Sequence, residues 1–220
     1  MRVIAVTSYM QVHLVTFAQF IIILALDMSD PYWPLIIASI HPFSDPRILQ
    51  YWSGIIYAAP LVTMIFTTLL WIKIGERIGY KKMILRAGFA LAATQWSLFY
   101  FTNPWSILFI RLLQGGLAGF STAAQAWSLA ITPSNRHSQV VGRLQAATAM
   151  GSIVGPICGG LISHYSGYLS IFIAAGCVCL LISVVLANYL QENNIRPIPA
   201  VVKKKQKIFP LEPKKIYYSY

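Results

Sequence analysis

Charge is what this sequence has least of. Only 10% of its 220 residues are Asp, Glu, Lys or Arg, where a soluble domain carries about a quarter. With 57% hydrophobic residues and a mean hydropathy of +0.62, that shortage excludes an ordinary soluble core and places the chain in the membrane class. Acids are scarcest, six against seventeen Lys and Arg, for a net charge of +11. The basic residues form no soluble patch. They fall between apolar runs and in the C-terminal stretch, where a membrane protein keeps its cytoplasmic charge, so nucleic acid is not expected as a partner. Cysteine is also sparse. Cys158, Cys177 and Cys179 all lie in apolar runs, which excludes a disulfide framework and a zinc spacing. His13, His41, His137 and His164 are scattered and suggest no metal site. No nucleophile–base pair, phosphate loop or metal cluster is visible, so neither an enzyme nor a cofactor is expected. The ten-residue alternation of a β-barrel is missing as well.

What is there is a set of apolar runs long enough to cross hydrocarbon, about 20 residues each. Six qualify: Val12–Ile37, Tyr51–Ile74, Met83–Phe101, Trp105–Ala130, Val140–Ile162 and Tyr168–Leu190. The expected fold is an all-α membrane protein with six transmembrane helices. The first run is interrupted by Asp27, and no small-x-small site follows it, so it reads as a span and not as a cleaved leader. Short connections carry the punctuation, as in Asp45-Pro46, Asn103-Pro104 and Ser166-Gly167. Lys and Arg crowd one set of connections, and only Arg47 stands in the other. The positive-inside rule then puts both termini in the cytoplasm. Residues 1–11 read as a cytoplasmic N-terminus, 12–190 as the transmembrane domain, and 191–220 as a basic cytoplasmic tail without periodicity.

One stretch organises the fifth run. Gly151, Gly155 and Gly159 are four apart, so a helix stacks them on one bare face that another backbone can approach closely. Pro156 in the same stretch removes one helical hydrogen bond. Asp27 and Asp30 are the only acids inside an apolar run, and an ionisable group at membrane depth is a functional candidate by default. Three residues apart, they are expected on one helix face. Asp27 lies about 22 Å from the cytoplasmic start of its helix and Arg111 about 21 Å from the inner face, so the charges can meet at one level. A carboxylate there, Asp27 foremost, can take up and release a proton as its exposure changes, and a cationic or neutral substrate can compete with that proton. A static pair fixing helix packing is the alternative. Tyr32, Tyr57, Gln114 and Trp127 are candidate cavity residues, Gln145 reads as cross-helix glue, and Trp33 and Trp52 as an interfacial belt.

Three stretches match one family at the right spacings. Between the second and third runs, Glu76, Arg77, Gly79, Lys81 and Lys82 fit a loop motif, with Ile72 where its first glycine usually stands. In the fourth run, Arg111, Gln114 and Gly115 fit the pattern of an arginine, two residues, glutamine and glycine. In the fifth, Gly142, Gly151, Gly155, Pro156, Gly159 and Gly160 reproduce an antiporter motif. The chain resembles the N-terminal half of the major facilitator superfamily, most closely its drug:proton antiporter branch. The resemblance implies proton-coupled efflux of drugs or small metabolites, multidrug resistance, and a place in a bacterial inner membrane. It implies a proton-linked role for Arg111 beside Asp27 and Asp30. It also implies a cytoplasmic gate at Glu76, Arg77, Gly79 and Lys81, and a cavity among the first, second, fourth and fifth helices. A complete transporter of that family has two six-helix halves, and the glycine face would meet the other half. A second half or a self-dimer is therefore an expected partner, beside the bilayer, protons and substrate. A truncated remnant or a non-transporting membrane interaction protein is the alternative.

Overall fold

The computed structural model of the chain describes residues 2–40 and 45–190. The basic tail expected over 191–220 lies outside the described residues. Eight α-helices make six rods. The first rod is α1 (Arg2–Asp27), a 3-10 turn at Asp30–Tyr32 and α2 (Trp33–Ile40). Next come α3 (Pro46–Ile78) and α4 (Tyr80–Tyr100). The fourth rod is α5 (Pro104–Leu117) with α6 (Phe120–Ile131), the fifth α7 (His137–Ser166) and the sixth α8 (Ser170–Tyr189). Two of the sequence's punctuation marks are helix starts. Asp45 accepts a hydrogen bond from Arg47 N at 2.8 Å ahead of Pro46, and Asn103 accepts one from Trp105 N at 3.0 Å ahead of Pro104. Each gives a free N–H its partner, and each proline occupies a position where no N–H is needed.

Five rods are long and apolar enough to cross a membrane by length and composition. The remaining one, α4, is less apolar because it carries Lys81, Lys82, Arg86 and Gln95. It packs on α8, α6 and α5, and its buried face carries Thr94 and Gln95 among aliphatic residues. Around it α1 lies against α7 and α8, and α3 against α5. One buried cluster gathers Ile22, Ile84, Leu91, Phe120, Trp127, Ile171 and Leu186. A second gathers Trp33, Ile36, Ile56, Leu98, Ile107 and Phe172. Large apolar side chains such as Ile65, Phe66 and Leu69 of α3 point outward, as lipid-facing or partner-facing residues do and soluble surfaces seldom do. The architecture is an all-α membrane domain.

Two runs expected as single helices are broken. The first breaks after Asp27, where Pro31 and Pro34 cannot donate to a helical ladder. The fourth breaks at Gly119, whose φ of +114° suits glycine. The glycine face of α7 is also not free for another half. A Cβ on Gly151 would lie 2.9 Å from Phe20 O, one on Gly155 2.6 Å from Leu24 O, and one on Gly159 would run into the carbonyl of Met28. The face is pressed along the α1 backbone within the chain. Close helix approach of this kind is what small residues permit in lipid.

Candidate functional site: a charged cavity between α1, α3 and α5

A cavity of about 230 Å³ opens beside the first rod. Asp27 and Asp30 line it from one side, Tyr57, Pro60 and Met64 of α3 from another, Leu91 of α4 from behind, and Arg111, Gln114 and Gly115 of α5 opposite, with Ala118 just past its end. The fifth rod, expected among its walls, stands behind α1, with Gly155 against the Asp27 backbone. Ser152 of α7 approaches the Asp27 carboxylate.

Arg111 is 5% exposed, and each of its three nitrogens has a partner. Nε donates to Ile56 O at 3.2 Å and Nη1 to Gln114 Oε1 at 3.0 Å. Nη2 lies 3.5 Å from Asp30 Oδ1. The guanidinium carbon sits 4.8 Å from the Trp33 ring centroid, a cation–π contact. A planar fork with fixed donors suits such a crowded site better than a point charge. The ion pair therefore forms with Asp30, and Asp27 is left facing the cavity. The helix break decides this, because it removes Asp30 from the face that an unbroken helix would share with Asp27.

The sequence-derived residues divide clearly. Asp27, Asp30, Arg111, Tyr57 and Gln114 come together around the cavity. Tyr32 and Trp127 do not line it. Tyr32 donates to Pro156 O at 2.9 Å and packs on Tyr168, and Trp127 is 2% exposed in the larger core cluster. Trp33, read as a belt residue, is 1% exposed beneath Arg111, whereas Trp52 is half-buried and packs edge-on against Trp105. Gln145 is exposed. The glue between α1 and α7 is Gln19, which donates to Thr148 at 2.9 Å. Glu76 and Arg77 are exposed near the end of α3. They stand about 28 Å along the helix from Tyr57, ahead of the Gly79 turn with its φ of +102°. Lys81 is half-buried just beyond it. Burial, then the Glu76 charge, pushes the Tyr80 phenol up. Of the glycine motif, Gly142 meets nothing within 4 Å and Gly160 faces the Tyr32 hydroxyl. Among the described residues no group of three or more His, Cys, Asp or Glu could hold a metal ion.

A small, mostly apolar chamber that holds two carboxylates and one buried guanidinium has the make-up of a site that binds a small molecule. Comparisons with known proteins agree with that chemistry. The Major Facilitator Superfamily profile matches residues 15–218. The staphyloferrin B transporter of Staphylococcus aureus is 34% identical over 180 residues, 82% of this chain and 43% of that protein. The multi-drug resistance efflux pump PmrA of Streptococcus pneumoniae is 23% identical over 177 residues, 80% of this chain and 44% of the pump. The multidrug resistance protein MdtG of Proteus mirabilis is 24% identical over 181 residues, 82% and 45%. The chain thus spans about half the length of the curated relatives it matches. On the match across most of its residues, and on a six-rod membrane domain to go with it, this chain belongs to the major facilitator superfamily.

Proposed function

We propose that the chain forms one six-helix half of a proton-coupled exporter, with Asp27 as the carboxylate that exchanges a proton for substrate. One observation carries this reading: the donors of Arg111 engage Asp30, Ile56 O and Gln114, while Asp27 lines the cavity outside that set. With Arg111 balancing Asp30, the chamber keeps one carboxylate for a proton or a cationic group. Exchange at a single carboxylate couples two ligands without further machinery, because occupancy by one excludes the other.

The substrate is a drug or small metabolite, consistent with the multidrug pumps and the siderophore transporter among the relatives. Tyr57 and Gln114 orient it, and Met64 and Leu61 supply apolar contact. The second wall of the cavity comes from another six-helix half, contributed by a separate chain or a second copy. The domain sits in the bacterial inner membrane with both termini in the cytoplasm, as its lysine and arginine distribution favours. Glu76, Arg77, Gly79 and Lys81 gate the inner mouth. Proton-coupled efflux in inverted vesicles, with the missing half co-expressed, tests the assignment. D27N should abolish substrate-induced proton release, whereas D27E should keep part of it. Full coupled flux in D27N would remove Asp27 from the mechanism.

A further inference from the structure

The break in the fourth rod has its own chemistry. The run 105–130 is long and mostly apolar, yet α5 ends at Leu117 and α6 begins at Phe120. In an unbroken helix the carbonyls of Gly115, Gly116, Leu117 and Ala118 would accept from N–H groups four residues on. Here they lose those partners about 21 Å inward from the start of α5, at membrane depth, where backbone carbonyls need partners within the protein or from a water-filled cavity. Side chains from two other rods take their place in chain order. Thr67 Oγ1 lies 3.4 Å from Gly115 O, a second acceptor beside Thr63 O at 3.0 Å. Trp71 Nε1 donates to Gly116 O at 2.7 Å. Arg86 Nη2 reaches Leu117 O at 3.1 Å and Ala118 O at 3.4 Å.

Thr67 and Trp71 are one turn apart on α3, so they share a face. Arg86 comes across from α4, and its guanidinium carbon stacks 3.4 Å from the Trp71 ring centroid. Among the described residues no carboxylate pairs with Arg86. Its charge rests on two carbonyls and an aromatic face, at the negative end of the α5 dipole. Gly115 and Ala118 also line the cavity on the side of Arg111 and Gln114. The pinned carbonyls and the charged site are thus on the same short helix.

We propose that Gly119 is a hinge and that Arg86, stacked on Trp71, is the latch that holds α5 in place and with it Arg111. Arg86 is a positioning residue, acting through α5 and touching no ligand. The latch rests on the geometry of the break and does not depend on transport. Its failure and the failure of Asp27 as proton carrier are separate results.

The test uses the full chain in lipid nanodiscs. R86Q removes the charge and most of the reach, R86K keeps the charge without the flat stack, and W71F keeps the ring face without the N–H. Amide hydrogen exchange should rise about tenfold or more over residues 115–123 in R86Q, less in R86K and W71F, with α7 and α8 unchanged. Pulsed electron resonance between labels at the exposed positions Phe109 and Leu161, with the native cysteines replaced, reads the position of α5. R86Q should shift or broaden that distance by about 2 Å, the scale of helix movements at switching interfaces. Unchanged exchange over 115–123, or loosening spread evenly over all helices, overturns the latch. Local loosening with no change in the α5 distance overturns it too, because Arg86 would then be a static cap. If R86Q does not fold, R86K and W71F decide by the same criteria.

Discussion

Replacing the glycines of α7 by alanine, one at a time, should give a graded loss of stability whose order follows from the distance to α1. An added methyl at Gly142 meets nothing within 4 Å. Removing glycine from a helix interior gains about 0.8–1.0 kcal/mol, so G142A should be neutral or stabilising by up to that amount. At Gly151 the methyl would sit 2.9 Å from Phe20 O and 3.0 Å from Ile23 Cβ, where ordinary contact begins near 3.4 Å. The helices must part there by about half an ångström. At Gly155 the nearest atom is Leu24 O at 2.6 Å, and at Gly159 the Met28 carbonyl is nearer still. These obstacles are backbone, which cannot rotate aside as a flexible side chain can. Overpacking costs about 1–3 kcal/mol per site, against the propensity gain of up to ~1 kcal/mol. The expected net losses are therefore close to zero for G151A, about 1 kcal/mol for G155A and about 2 for G159A. Unfolding of the purified chain in mixed micelles, titrated with sodium dodecyl sulfate and followed by tryptophan fluorescence, measures the series. A G159A chain as stable as G142A would refute the reasoning. So would losses seen only when a second six-helix chain is present, because the glycine face would then belong to an interface between halves.

Two further predictions concern buried polar groups. D30N strands Arg111, a loss of about 3–5 kcal/mol for a fully buried pair. The expected loss is reduced to roughly 1–3, because the Asp30 side chain is 29% exposed and Arg111 keeps Ile56 O, Gln114 and the Trp33 ring. The double variant D30N/R111M should recover much of the D30N loss; strictly additive losses in the cycle would mean that the two residues are not coupled. Gln95 is wholly buried and neither atom of its amide has a partner, so Q95M should raise the unfolding midpoint by the equivalent of about 1–2 kcal/mol. A lowered midpoint would show that the amide is satisfied in the membrane.

The spans are legible because lipid imposes one rule on every stretch of chain, enough apolar residues to cross and no unpaired backbone on the way. The glycine spacing of α7 is legible for a similar reason, since a bare face every four residues has few uses other than close packing. Which helix fills that face is not written in α7. The face matches α1 through the positions of Phe20, Leu24 and Met28, which look like any other apolar residues in sequence. The α5–α6 break is hidden in the same way. Gly115, Gly116 and Gly119 permit it, but what stabilises it is a tryptophan on α3 and an arginine on α4, and the arginine reads as one more topology charge.

The charged site illustrates the limit most sharply. Depth arithmetic brings Asp27 and Arg111 to one level, and both line one cavity together with Asp30. It cannot choose between the two carboxylates, because it assumes one continuous helix. Once the helix stops at Asp27 and restarts beyond Pro31, Asp30 turns onto Arg111 over the Trp33 ring and Asp27 stays behind on α1, against Gly155. The partner of Arg111 is thus set by where two prolines interrupt the first rod. It follows that a change which restored the helix through 28–34 would alter the charge pairing without touching any charged residue.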